Sequence, residues 1–567
     1  MQRAPADSGH RIVLSPTLGR PAFAEPGERL RIVAHLPEDA RGPEFHLTRG
    51  GARPMRIPLE IEGAELERLR TGGAAALRVP PRTLEGTYDL ELRWAGGSAV
   101  EPHCVAVARV GRDLRIVHLS NINIGDRGAP EFDPRLIDEI NLLAPTLIVA
   151  TGDYVDATCE NPAAAWRRLV ECFRAFDAPI VLACGDHDDF ALYSQYVAPS
   201  PVGLTAVGPH RVLTLLDHGL APIAQDAEQL RWIDSALAIP GFDGLTVVLA
   251  HSEFPGLLRE WQQRGVLSRM IQSGHLALWF AGGHRDWDGR EYRELIDAAA
   301  PLLYLRTQQS SSAVREGASG VSHYRIVDVS GNRVYMPADA ATEPGVPPSL
   351  PTGRLSANVR GRNDASESVL TVSAVNNHPF RLDGLAVRLR LRKEADAPPW
   401  CHGGRIERLA DAGDAWDFRV RFDLPDKGAA RIVAGVGPEP PGQKLAVGFE
   451  LAAVLRARRQ YTSDGVSYLT AANTSTRITV TNTGTAPAEV SPLVRLDGDL
   501  LAYHLANSDG PYLTARPLRL EPGQAAALQL DLSALRVAPG RRELQVYLPG
   551  DAAEVPACYP LEVRIED

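Results

Sequence analysis

Five short, unbroken apolar runs constrain this chain more than any other feature. They are LRIVHLS (114–120), TLIVAT (146–151), PIVLAC (179–184), LTVVLA (245–250) and LALWFA (276–281). A strand with one wet face alternates apolar and polar residues, whereas a run that is apolar throughout is covered on both faces. The segments between the runs, PRLIDEINLLA, PAAAWRRLVECFRAF, AEQLRWIDSAL and LLREWQQRGVLSRMI, space their apolar residues three and four apart, as amphipathic helices do. Asp133 before Pro134 supplies an N-cap and a first-turn proline for the first of them. Strand alternating with helix predicts an α/β core with helices on both faces, spanning residues 111–340.

The flanks read differently. In residues 1–110, GTYDLELRW turns Tyr88, Leu90 and Leu92 one way and Asp89, Glu91 and Arg93 the other, which predicts an N-terminal immunoglobulin-like β-sandwich. VSHYRIVDVSGNRVY (321–335) reads as a hairpin closing the α/β domain, with Ser330-Gly331-Asn332 at its turn. A Pro/Gly linker covers 341–353, and two further β-sandwiches are expected at 354–457 and 460–567, the second immunoglobulin-like. The expected fold class is therefore multidomain α/β plus all-β, since 567 residues are too many for one core. A net charge of −10 without a Lys/Arg block leaves no nucleic-acid surface. No stretch approaches the roughly 20 apolar residues of a transmembrane helix. The N-terminus lacks a secretory signal, so a cytoplasmic location is expected, although sandwiches of this type leave an extracellular one open. The sandwiches are candidates for protein or glycan contacts. Six dispersed cysteines, none in a C-x-x-C pair, read as small hydrophobes.

The chemistry lies where the apolar runs end. Run 114–120 continues into Asn121-Ile122-Asn123, run 146–151 into Gly152-Asp153-Tyr154-Val155-Asp156, and run 179–184 into Gly185-Asp186-His187-Asp188. Run 245–250 stops at His251, and run 276–281 at Gly282-Gly283-His284-Arg285-Asp286. Ligands gather outside the carboxyl ends of strands in open α/β sheets. Gly152, Gly185 and Gly283 each precede a ligand-type residue and let the backbone leave the sheet sharply.

This ordered set resembles the calcineurin-like metallophosphoesterase family, whose motifs run D-x-H, G-D-x-x-D, G-N-H-D/E, a lone H and G-H-x-H. The resemblance covers about 220 residues. It implies a central metallophosphoesterase-type α/β sandwich with one or two divalent ions (Mn, Mg, Zn, Fe or Ca) and a phosphate-ester substrate. Asp153 inherits the bridging role. One ion position would use Asp153, Asp186, His251 and His284, with Asp186 standing where the family has Asn. The other would use Asn121, Asn123, Asp153 and Asp286. There two asparagines replace Asp and His, Asp286 replaces the last His, and Asn offers only a neutral carbonyl oxygen. The implied activity is hydrolysis of phosphomonoesters or phosphodiesters by a metal-activated water. His187 would assist the leaving group, Asp188 would orient its imidazole, and Arg285 would contact a substrate phosphate. The alternative is a catalytically weakened or inactive binding module on the same fold.

Overall fold

The computed structural model describes residues 11–565 apart from 39, 51–54, 126–131, 217–226, 239–241, 252–275, 283–291, 294–302, 312–321, 332, 341–348, 394–396, 412, 438–444, 452–453, 462–466, 472–475, 491, 497–498, 502, 507–517, 531, 533–539 and 549–556. The chain divides into two compact units, Met1–Thr352 and Gly353–Asp567.

Within the first unit, the α/β region forms two sheets. Strands β1 (Leu114–Leu119), β2 (Leu147–Thr151) and β3 (Ile180–Ala183) lie parallel in the order β3-β2-β1. The sheet continues through antiparallel β10 (His323–Ser330) and β11 (Arg333–Tyr335). The second sheet holds β4 (Gly203–Val207), β5 (His210–Thr214), β6 (Thr246–Ala250), β7 (Leu276–Ala281), β8 (Tyr292–Arg293) and β9 (Leu303–Arg306) in the order β4-β5-β6-β7-β9-β8. Its β5, β6, β7 and β9 are parallel. One core joins the sheets: Ile116, Val149 and Val181 of the first pack in a single cluster with Val247, Leu249, Phe280 and Leu305 of the second. The five apolar runs are thus shared between two facing sheets. The strands GLTAV, HRVLT and LYLR complete the sheets beyond what the apolar runs predict.

Helices start where the sequence places caps. Asp133 accepts from the Arg135 amide at 3.0 Å to open α1 (Pro134–Leu143). Asn161 accepts from Ala164 at 3.1 Å to open α2 (Pro162–Arg174), and Asp189 accepts from Ala191 and Leu192 to open α3 (Phe190–Tyr196). Each satisfies amides that an unprotected helix end leaves open. α4 (Ala227–Leu237) buries Ile233 and Leu237. The closing hairpin turns at Gly331 (φ 60°), whose amide donates to Asp113.

The N-terminal region is a five-stranded and a four-stranded sheet around one core containing Phe45, Leu77, Tyr88, Leu90 and Leu92. Its Asp89 is buried and pairs with Arg174 at 2.5 Å, while Arg49 pairs with Asp177 at 2.8 Å. In the second unit, strands 355–360, 369–376, 382–392, 400–402, 405–411, 415–424 and 429–435 form one pair of sheets. Strand Leu445–Glu450 pairs with Thr476–Asn482, and Val454–Tyr461 pairs parallel with Ala557–Ile565. Pairing therefore draws residues 445–461 into the last group of sheets, upstream of the boundary expected at 457–460.

Candidate metal centre

Parallel strands deliver their carboxyl ends to one edge, and the two facing sheets bring their edges together. Asp153 follows β2, Asp186 follows β3 and His251 follows β6, so two donors come from one sheet and one from the other. One donor atom from each lies within 4.8 Å of the others. His251 Nε2 is 3.4 Å from Asp153 Oδ1 and 3.0 Å from Asp186 Oδ1. Its Nδ1 meets the carbonyl of Thr151 at 2.5 Å; this bond places the proton on Nδ1 and turns Nε2 to the carboxylates. Asp153 and His251 are buried, and Asp186 is exposed.

The electrostatics of the cluster follow from its two carboxylates. Burial disfavours a charged His251, but the adjacent Asp153 and Asp186 outweigh it and raise the imidazole well above its ordinary value. The hydrogen bond from His251 holds Asp186 well below the usual carboxylate range. Two carboxylates around one imidazole thus favour positive charge at this point. This donor set fits a divalent cation.

The backbone is shaped for this. Asp153 takes φ 56° and Gly152 φ 80°. A methyl group on Gly152 would fall 2.4 Å from the Gly185 Cα and 2.7 Å from His251 Nδ1. One on Gly185 would fall 2.3 Å from the Asp153 amide nitrogen. Gly282 is equally hemmed in, by the Thr151 carbonyl, His251 and Ser120.

Asn121 and Asn123 are both buried and both at φ 49°, a left-handed conformation that Asn tolerates. The Asn121 amide donates to the Gly152 carbonyl at 3.2 Å and the Asn123 amide to Asp153 at 2.8 Å, so the first-motif loop runs directly alongside the second. His187 sits half-exposed above the cluster, its Nδ1 3.9 Å from Asp153 Oδ2 and its amide donating to Asp153 Oδ1 at 3.2 Å. Asp188 has a different place from the one expected. Its carboxylate is buried and accepts from the amides of Asp153 (3.0 Å), Tyr154 (2.8 Å) and Gly185 (2.7 Å), tying the two Gly-Asp turns together rather than orienting His187. Asp156 closes a local turn on Thr158. His284, Arg285 and Asp286 lie outside the described residues. Cys184 is buried strand, its thiol pushed up by burial.

Several neighbours carry no motif signal. His118 is buried between Thr151 Oγ1 (2.9 Å) and Thr307 Oγ1 (2.6 Å), with its ring 4.7 Å from that of Phe280. Burial, then Arg325, lowers its basicity well below the ordinary value, so it supports the site as a neutral ring. After β9 the polar run Thr307-Gln308-Gln309-Ser310-Ser311 reaches the same edge: the Ser310 amide donates to the Ser120 carbonyl at 2.6 Å, and the Ser120 amide to Ser310 Oγ at 3.0 Å. A polar cluster behind a short apolar run was the available signal, but LYLR is too short to stand out.

A two-sheet α/β sandwich with carboxylates and a histidine at its converging edges defines the class of metal-centred phosphoesterases. Residues 114–286 match the calcineurin-like phosphoesterase family, and the chain belongs to it. It is 31% identical over 252 residues to the cAMP/cGMP dual specificity phosphodiesterase of Mycobacterium tuberculosis, covering 38% of this chain and 76% of that protein. It is 25% identical over 276 residues to a Rhodococcus erythropolis protein named "Probable cyclic nucleotide phosphodiesterase", covering 43% and 90%. Among solved structures, a purple acid phosphatase from yellow lupin (Lupinus luteus) seeds matches at 11% identity and a TM-score of 0.35, covering 63% of this chain and 71% of that one.

Proposed function

We propose that this protein is a metal-dependent hydrolase of phosphodiesters, with cyclic nucleotides as the substrate class. The observation that carries the reading is the convergence of Asp153, Asp186 and His251 on one point. The two cyclic nucleotide phosphodiesterase relatives support the substrate class. Asp153, Asp186 and His251 would hold the ion. A divalent ion there supplies Lewis acidity and a water acidic enough to attack phosphorus near neutral pH. The chain's own residues do the rest. Thr151 fixes the His251 tautomer, and Asp188 holds the two ligand turns in register. His187, half-exposed at the rim, reaches the substrate and passes a proton to the departing alkoxide.

The direct test is hydrolysis of bis-p-nitrophenyl phosphate and of cAMP by the purified chain with Mn²⁺. Asp153→Asn is expected to lower turnover by roughly 100-fold or more, since even a partner supporting a metal ligand is worth 10- to 100-fold. Turnover that survives this change would remove the reading. Asn121 and Asn123 favour a second reading, a metal-binding module without turnover. Bound metal with neither ester cleaved would select it.

A further inference from the structure

The loop that carries Asp186 and His187 runs from β3 into α3. Both side chains are half-exposed, at 47% and 44%, so burial does not fix them and their place depends on how the loop's two ends are held. Asp188 ties the β3 end to the amides of Asp153 and Tyr154. The other end enters α3, whose seven residues are too few for a helix to be stable by itself. The last carbonyls of such a helix also need partners from outside it.

The start of the N-terminal domain supplies them. Arg11 donates through Nη1 to the Ser194 carbonyl at 2.9 Å and through Nη2 to the Val197 carbonyl at 3.3 Å. A cation there suits the negative end of the helix. The same guanidinium pairs with Glu101 through Nε at 3.2 Å and through Nη2, the two side chains being only 13% and 6% exposed. Glu101 Oε1 also accepts from the Leu18 amide at 3.0 Å. Gly19, next in the chain, donates to Val197 and accepts from Leu182 of β3. From inside, the Tyr193 hydroxyl of α3 donates to the Leu182 carbonyl at 2.7 Å. Residues 11–19 therefore bridge the last turn of α3 and the strand β3, the two flanks of the ligand loop. Arg11 and Glu101 both lie outside the residues 114–286 that match the family.

We propose that Arg11, fixed by Glu101, is a positioning residue for the metal centre: it acts through α3 to hold Asp186 against His251. The proposal rests on the metal-dependent reading above. A guanidinium suits the task, because its planar fork of N–H donors serves one carboxylate and two carbonyls at once, which a compact ammonium does not.

The test reads ion binding without turnover. The full chain, stripped by chelator, is titrated with Mn²⁺ while free Mn²⁺ is followed by electron paramagnetic resonance. Arg11→Met should weaken binding by roughly tenfold, the low end of what partners supporting a metal ligand are worth. Arg11→Lys keeps a charge opposite Glu101 and serves if the Met variant does not fold; a smaller loss in the same direction is expected. Arg49→Met removes the Arg49–Asp177 pair, which joins the same domain to the chain before β3, away from the ligand loop. It should leave the affinity unchanged. A folded Arg11 variant that binds Mn²⁺ as the wild type does, or an equal loss in Arg49→Met, overturns the proposal and leaves the metal-dependent reading standing. A wild type that binds no Mn²⁺ overturns both.

Discussion

Gly152 and Gly185 face each other across a gap with no room for a methyl group. Gly185→Ala is expected to push Asp153 off its position, costing about 1–3 kcal/mol of stability together with any Mn²⁺ binding at the candidate centre. Thermal melting and Mn²⁺ titration of the same variant check both losses. Asp188 makes a sharper case, because its two oxygens serve three backbone amides. Asp188→Asn would aim an NH2 group at one of those amides. A loss of about 1–3 kcal/mol in denaturant unfolding is expected, with the shape of the pH–rate profile kept. A displaced limb in that profile would return Asp188 to a role in orienting His187. His103 carries the pH dependence. Burial lowers its imidazole to about 4 from an ordinary 6.5, while Nε2 donates to the Ala178 carbonyl at 2.9 Å. The unfolded chain then binds the extra proton first. Stability is fully present above pH 6.5 and is lost as the pH falls towards 4, by on the order of 3 kcal/mol at most. His103→Asn, which tolerates the φ of 50° at this residue, should flatten that slope in melting curves recorded between pH 7 and 4.

At the level of elements, three loops of the first sheet are held edge to edge, and β6 of the second brings His251 to them. The loop after β1 pairs with the loop after β2 through Asn121–Gly152, Asn123–Asp153 and Ile124–Tyr154 backbone bonds. Asp188 then ties the loop after β2 to the loop after β3. The free edge of β3 is covered by the N-terminal domain: the Leu182 amide donates to the Gly19 carbonyl at 3.1 Å, and Gly19 in turn donates to Val197 at 3.2 Å. An uncovered strand edge invites pairing with other chains, so this cover keeps the ligand-bearing strand in its place. The Asp89–Arg174 pair fastens the same domain to α2 with side chains only 10% and 26% exposed. A double-mutant cycle of Asp89→Ala and Arg174→Ala should return a coupling of about 1 kcal/mol, above the few tenths of an exposed pair.

At the scale of the whole molecule, the candidate metal centre lies in the unit Met1–Thr352. A fragment of residues 1–352 is expected to bind Mn²⁺ with the affinities of the full chain. Removal of residues 1–110 should instead give a protein that associates in light scattering, because it bares β3 and strands Arg174 and Asp177. Calorimetry of the full chain should resolve more than one transition, as two units with separate cores allow.

The apolar runs, the cap at Asp133 and the Gly-Asp turns were legible residue by residue, because burial on both faces, capping and tight turns are local demands. The order of Asp153, Asp186 and His251 along the chain pointed to the three donors that the fold brings together; His284, expected with them, lies outside the described residues. The division of the strands between two sheets was not legible, since an apolar run reads alike in either. GLTAV alternates as a half-buried strand at the sheet's margin and LYLR is only four residues long, so neither carries a strong strand signal. The placement of Asp188 under the backbone, of His118 behind Thr151 and of Ser310 against Ser120 came from the fold alone. Local sequence dictates which groups are available and where the chain must bend. Which of them meet depends on contacts between distant residues, such as Ser120 with Ser310, 190 positions apart, and only the packing of two sheets against each other decides those.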